Sequence, residues 1–348
     1  MPAEWEPHEA TWLGWPQNPA DWPGKFAAIP WVYAEIVRLL SFKEAVHILV
    51  NSPAAEARAT GIFKRAGANL SLISFHQWPT NRVWLRDSGP IFVKNNAGNL
   101  AITDWKFNAW AKYEDWQLDD RIPSHIAKLR DLQSWQPSIG SYRRIVLEGG
   151  SIDVNGAGTL ITTEECLLSD VQPRNPGVTR EQLEAAFHNY LGIDQVLWLG
   201  DGIAGDDTHG HVDDITRFVG PSTIVTAVEP DTSDYNHQPL AENLARLKAA
   251  RTPDGKQFEI VELPLPRPVA FRGQRLPASY ANFYIANGLV LVPTFNDPRD
   301  RVALGILAEL FPSREVIGIH AVDLVWGLGT LHCMTQQQPA GSSSEMQE

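Results

Sequence analysis

An α/β fold is predicted for this 348-residue chain on three observations. Short apolar runs of strand length recur along it, amphipathic stretches of helical length lie between them, and 43% hydrophobic against 20% charged residues supplies a sizeable core. Taken in order, residues 31–40 and 54–66 have helical spacing on either side of VHILV at 46–50, which reads as a strand. Residues 91–93 form a short apolar strand, 124–132 a helix, and TLIT at 159–162 the next strand. The clearest helix is TREQLEAAFHNYLG: Thr179 and Gln182 make a capping box, Leu183, Ala186, Phe187, Tyr190 and Leu191 share one face, and Gly192 closes it. Thr223–Val228 reads as strand, 240–250 as helix, 289–292 as strand and 301–311 as helix. Ten of the thirteen tryptophans fall by residue 116, and most are expected in the core.

Composition excludes several classes. With 29 Lys+Arg against 41 Asp+Glu the formal charge is −12, and no basic run offers a phosphate-binding surface, so nucleic acid is not expected as a partner. No stretch approaches the roughly 18 apolar residues of a membrane span, and the acidic, proline-broken amino terminus lacks a signal-peptide core, which points to the cytoplasm. Two cysteines make no disulfide framework. No linker or composition shift divides the chain, so one domain over 1–340 is expected, with a disordered tail at 341–348 (GSSSEMQE).

Polar groups beside the strand runs are the candidates for chemistry: Asp87 in WLRDSGP, Glu148 in LEGGSID, His211 in THGHVDD, Asn296 and Asp297 in VPTFNDPRD, and Cys333 in GTLHCMTQQQ. The first three are about 60 residues apart, which suits a repeated module turning one polar tip inward. Cys333 follows Gly327 and Gly329 and precedes Thr335 and three glutamines; it is either a nucleophile, given a nearby imidazolium or cationic ligand, or a buried structural thiol. Cys166 reads as structural. His332 is a poor activating base, because adjacent side chains of a strand face opposite ways.

His209, His211 and Asp213 alternate, which on a strand puts all three on one face. They could be zinc ligands, although the further histidines such a site needs have no motif around His237 or His320. Alternatively His211 is a general acid/base and Asp213 an anchor for a cation, or the run is only a polar turn. Asp87 and Glu148 each adjoin glycine and by themselves read as turn residues. Together, Asp87, Glu148 and Asp213 supply carboxylates that fit a planar guanidinium, and a Cys and a His beside them suit attack on its central carbon.

The stretches PAEWEPHEATWLGWP, WLRDSGP, DWKFNAW, EGGSIDVNGAGTLITTEECLL, DDTHGHVDDITRFV and GTLHCMTQQQPAG, spanning nearly the whole chain in order, resemble the agmatine deiminase family, also called the Porphyromonas-type peptidylarginine deiminase family. The resemblance implies the pentein fold, a five-bladed α/β propeller of pseudo-fivefold symmetry around one active site. It implies Cys333 as nucleophile, His211 as general acid/base, Asp87 and Asp213 as guanidinium-holding carboxylates, and Glu148 completing the site. It further implies a metal-free, cofactor-free route from agmatine, a small cationic guanidino substrate, through a Cys-linked thiouronium to N-carbamoylputrescine and ammonia, a step towards putrescine. A homo-oligomer is compatible with it.

This chain departs from that pattern in reading AKYEDW after FNAW and WGLGTLHC before the cysteine, where glycine-rich stretches are usual, and these loops shape the mouth of the site. Asp206 or Asp207 is placed to meet the distal ammonium of agmatine, and Trp84 and Trp110 to line the slot. The competing readings are a deiminase of peptidyl-arginine or free arginine, a zinc hydrolase on His209, His211 and Asp213, and a non-catalytic member of the fold.

Overall fold

Every expected strand run lies in a sheet. The computed structural model describes residues 1–140 and 143–341, so the tail predicted to be disordered falls outside the described residues from position 342 onward. Five sheets of three or four strands repeat one pattern: a first strand antiparallel to a second, a crossing helix, and a third strand parallel to the second. Parallel neighbours cannot be joined by a tight turn, and the helix is what carries the chain back across the sheet.

The pattern runs through Ile91–Lys94, Leu100–Thr103, the helix Ile122–Arg130 and Ser134–Trp135. It returns in Asp153–Val154, Thr159–Thr163, the helix Arg180–Leu191 and Gln195–Leu199. Thr216–Phe218, Thr223–Val228, His237–Ala249 and Glu259–Pro264 repeat it, as do Tyr284–Ala286, Leu289–Thr294, Pro298–Leu310 and Glu315–His320. The remaining sheet joins the two ends of the chain: Thr335–Pro339 runs antiparallel to His8–Gly14, which pairs in parallel with Ala45–Leu49 after the helix Ile29–Leu40, and Ile73–His76 adds at the far side.

Local sequence explains the helices. Arg180–Leu191 carries the expected capping box of Thr179 with Gln182 and ends on Gly192 at φ 69°, a conformation that glycine adopts without steric cost. Pro298–Leu310 begins at Asp297, whose side chain accepts from the Arg299 amide in a second capping box with Asp300. Asp297 is thus spent on a helix end, which removes it and Asn296 from the expected inward-facing tips. Of the tryptophans, Trp12, Trp15, Trp22, Trp84, Trp105 and Trp110 are buried, whereas Trp31 and Trp135 are 49% and 42% exposed. Among the described residues no helix is long and apolar enough to cross a membrane.

In every unit a short turn precedes the first strand: Leu85–Ser88, Gly149–Ser151, Val212–Asp214, the buried stretch 279–282, and Leu331–Met334. These turns carry Asp87, Asp213, Asn282 and Cys333, with Glu148 directly before the second, and they meet one another. Behind them lies Glu4, a buried residue that no sequence motif singled out. One of its oxygens takes the Ile285 amide at 2.8 Å, the other contacts His332 Nε2 at 2.8 Å and Arg86 Nη2 at 3.1 Å, and Arg217 pairs with it at 3.0 Å.

Burial works to raise the Glu4 pKa, but Arg217, His332 and Arg86 override it and hold the carboxyl well below its ordinary range. A carboxylate depressed in this way stabilises the fold above its unfolded pKa, and the contribution is lost as pH falls through the folded value. Glu4→Gln leaves buried cations without their counter-charge and is expected to cost about 3 kcal/mol or more in urea unfolding at neutral pH; a change under about 1 kcal/mol would refute the clamp.

Candidate active site

Asp87 and Cys333, from two of the five turns, reach a cavity of about 350 Å³ that is also lined among others by Trp84, Trp110, Asp207 and Gly329. Cys333 lies in the short helical turn Leu331–Met334, buried, with its Sγ 3.1 Å from Asn282 Nδ2 and 3.7 Å from Asp213 Oδ2. Asn282 also donates to Asp214 at 3.0 Å and accepts from Thr330 at 2.7 Å, so one amide fixes the thiol between two turns. The sequence offered no motif for Asn282; its role depends on a neighbour 51 residues away.

The helical turn also changes the setting of His332, which was expected on a strand. In a strand it would face away from Cys333, but here its Nδ1 lies 2.7 Å from Asp213 Oδ2 and its Nε2 2.8 Å from Glu4 Oε2. His332 therefore aims the Asp213 carboxylate at the site. The THGHVDD run is not a strand either: His209 has φ 64°, and Val212–Asp214 is a turn of 3-10 helix. His209 is directed to Ser169 at 3.2 Å and Glu165 at 3.4 Å, so the face His209–His211–Asp213 proposed as a zinc set is not assembled. Asp206 accepts from the Gly210 and His211 amides, which fixes the turn, and it is not among the residues lining the cavity.

His211 lies between two carboxylates, its Nδ1 3.7 Å from Asp87 Oδ1 and its Nε2 3.7 Å from Glu148 Oε2. Burial opposes its charged form, but Asp87, with Cys166 and Glu148, carries the imidazole pKa well above its ordinary value. Cys166, expected to be structural, is buried beside this ring, with Glu148, Cys166 and His211 offering ligand atoms within 4.8 Å of one another. Burial works against charge on Glu148 too; Arg174, whose Nε lies 3.0 Å from Oε1, and His211 override it and bring the carboxyl down to about 2. Asp213 is likewise lowered against burial, chiefly by His332.

Asp87 is different. Its oxygens accept from Trp110 Nε1 at 2.9 Å and the Gly150 amide at 3.1 Å, yet burial pushes its pKa up to about 7, with His211 opposing and Asp213 and Glu148 adding to the rise. Cys333 is pushed well above the usual thiol range by burial and by Asp213, Asp214 and Asp87. Both ring nitrogens of His211, Glu148 Oε2 and Asp213 Oδ1 are buried without a hydrogen-bond partner among the described residues. Buried polar atoms of this kind are costly unless a ligand meets them. Orphaned carboxylate oxygens and a thiol held protonated by surrounding acids together suit a planar cation with several N–H donors.

Trp84 and Trp110 line the cavity as expected. Asp207 also lines it, but its carboxylate is already paired with Lys112 Nζ and accepts from the Tyr113 hydroxyl at 2.6 Å. Those two partners come from the AKYEDW segment, so the acid offered for a distal ammonium has a cation of its own.

A model of the Porphyromonas-type peptidyl-arginine deiminase family matches residues 1–339. The chain belongs to this family. It is 36% identical over 363 residues to the agmatine deiminase of Stutzerimonas stutzeri, covering 98% of this chain and 95% of that one. The agmatine deiminase of Pseudomonas syringae pv. tomato is 36% identical over 365 residues, with 98% and 95% covered. The solved agmatine deiminase of Enterococcus faecalis superposes with a TM-score of 0.88 at 31% identity, over 97% of this chain and 95% of that one.

Gly150 gives the site a direct test. A Cβ there would stand 2.7 Å from Asp87 Oδ1, 2.7 Å from His211 Nδ1 and 3.0 Å from Asp213 Oδ2. Gly150→Ala must displace three site residues at once, and kcat/KM for a guanidine substrate is expected to fall at least about a hundredfold with the circular dichroism spectrum unchanged. A near-normal rate would show that these groups need not approach so closely.

Proposed function

We propose that the chain is an agmatine deiminase, hydrolysing the guanidinium of agmatine to N-carbamoylputrescine and ammonia. The observation that carries this reading is the Cys333 thiol lining a cavity beside Asp213, with the orphaned acceptors Asp213 Oδ1 and Glu148 Oε2 buried behind it and suited to guanidinium N–H groups. The relatives' shared name supplies agmatine as the substrate. On the same reading the five sheets are blades of one propeller around the site, within one catalytic domain over residues 1–340.

Burial and the surrounding acids hold Cys333 as a thiol. A guanidinium among Asp87, Glu148 and Asp213 supplies the missing positive charge, so its arrival lowers the thiol pKa and the proton leaves to solvent. The thiolate then forms an S–C bond to the guanidinium carbon. The His211 imidazolium gives its proton to one terminal nitrogen, the C–N bond breaks, and ammonia leaves a thiouronium on Cys333. Water adds to that carbon as neutral His211 takes its proton. The C–S bond then breaks, the hydroxyl proton is lost to solvent, and the ureido product leaves with the thiolate restored.

Cys333→Ala is expected to abolish release of ammonia and ureido product from agmatine while leaving the protein folded; retained turnover would end this mechanism. In parallel assays agmatine should give a higher kcat/KM than free arginine or a C-terminal arginyl peptide, and the reverse order would move the chain to arginine chemistry.

The pH dependence follows from Asp87. The free enzyme must have Asp87 ionised to receive a cation, and its pKa near 7 makes kcat/KM rise with pH up to about 7 and flatten above it. Agmatine's guanidinium stays charged across this range, so the limb belongs to the enzyme. Asp87→Asn should erase that limb and weaken binding by roughly tenfold to a hundredfold, the equivalent of a charge-assisted hydrogen bond. An acidic limb that survives the substitution would assign it to another group.

A further inference from the structure

The segment preceding Cys333 contains a conformational exception. Leu328 has φ 68° and ψ 21°, the left-handed region in which a side chain's own Cβ is disfavoured. Nothing in its neighbours relieves this. Its amide donates to Val325 O at 2.9 Å, closing the turn Leu324–Gly327, and the residues on either side are pinned by packing. A Cβ on Gly327 would lie 2.5 Å from Trp22 Nε1, and one on Gly329 would lie 2.9 Å from Trp84 Cζ3 and 3.2 Å from Cys333 Sγ. Glycine at 328 would serve this turn without strain. A leucine held there instead is an outlier of the kind that functional sites retain when the side chain performs a task.

The position suggests the task. Leu328 lines the same cavity as Cys333, one residue from the glycine whose added Cβ would crowd the thiol, and it is only partly buried against the core. Trp84 and Trp110, the latter also left-handed at φ 57°, line the cavity with it. With the guanidinium carbon at Cys333 Sγ, these three side chains supply apolar surface in the cavity that its substituent enters. Asp87 and the orphaned carboxylates grip the guanidinium head alone.

We propose that Leu328 is a specificity-determining residue, an apolar wall against which the methylene arm of an alkylguanidine packs while its head is held at Cys333. This rests on the deiminase reading and adds to it a preference for an unbranched aliphatic arm. Affinity should therefore grow with arm length, and Leu328 should be the source of that growth.

The test uses full-length protein carrying Cys333→Ala, so that ligands bind without turnover, and calorimetric Kd values for methylguanidine, propylguanidine and butylguanidine. With Leu328 present each added methylene should tighten Kd about three- to fourfold, or about fortyfold from methyl to butyl. In Leu328→Gly this ratio should drop below about tenfold, while Kd for methylguanidine stays within about twofold of the parent. Leu328→Asn is the companion variant: asparagine tolerates the same φ and adds no glycine flexibility, so it should flatten the series equally. Both substitutions suit the backbone, and the midpoint of thermal unfolding is expected to hold.

A butyl-to-methyl ratio that stays within about twofold of the parent's in both variants overturns the proposal, as does an equal weakening of all three ligands, which would mark Leu328 as a purely structural plug. If no guanidine binds and the unmutated enzyme releases no ammonia from agmatine, the deiminase reading falls and takes this inference with it. Turnover of agmatine combined with an unmoved series overturns the wall alone.

Discussion

The buried carboxylate of Glu4 is the contact on which the other site positions depend. It lies in a segment before the first strand, yet it touches Arg86, Arg217, Ile285 and His332, which belong to separate parts of the chain. Charge in a protein interior must be matched closely, and these partners cannot drift without leaving a cation or an anion unpaired. Through His332 the constraint reaches Asp213 at 2.7 Å, and through Asp213 it reaches the thiol. The amino terminus thereby fixes the geometry around the Cys333 thiol near the opposite end of the chain.

A second constraint acts inside the cavity. Glu148 and Asp213 are kept charged by dedicated partners, Arg174 and His332, whereas Asp87 and Cys333 are left short of positive charge. The protein has therefore placed part of its electrostatic demand where only a ligand can meet it. A guanidinium answers that demand through shape and charge at once, since it offers a planar array of N–H donors and one delocalised cation. On the proposed function, the binding of the substrate and the activation of the thiol are the same event.

Much of the fold was legible. The TREQLEAAFHNYLG helix formed as its capping box and closing glycine specify, because those hydrogen bonds are local. Strands such as Thr223–Val228 were visible as apolar runs, while Gln195–Leu199 and Glu315–His320, which carry partly exposed residues, were not. The turns were harder. THGHVDD alternates like a strand but folds as a left-handed residue followed by 3-10 helix, since Asp206 captures the Gly210 and His211 amides. LHCM likewise became a helical turn, and with it His332 moved from bystander to support for Asp213.

From the sequence alone, residue types and local hydrogen-bonding patterns determined an acidic α/β protein with a thiol, an imidazole and carboxylates in family order. The tertiary structure alone decided which of these groups face each other and in what charge state. Glu4, Asn282, Arg174 and Cys166 entered the site or its supports without a motif, and Asn296 and Asp297 left it for a helix end. The physical reason is that a buried charge takes its pKa and its role from neighbours tens or hundreds of residues away, and no short stretch of sequence encodes their distances.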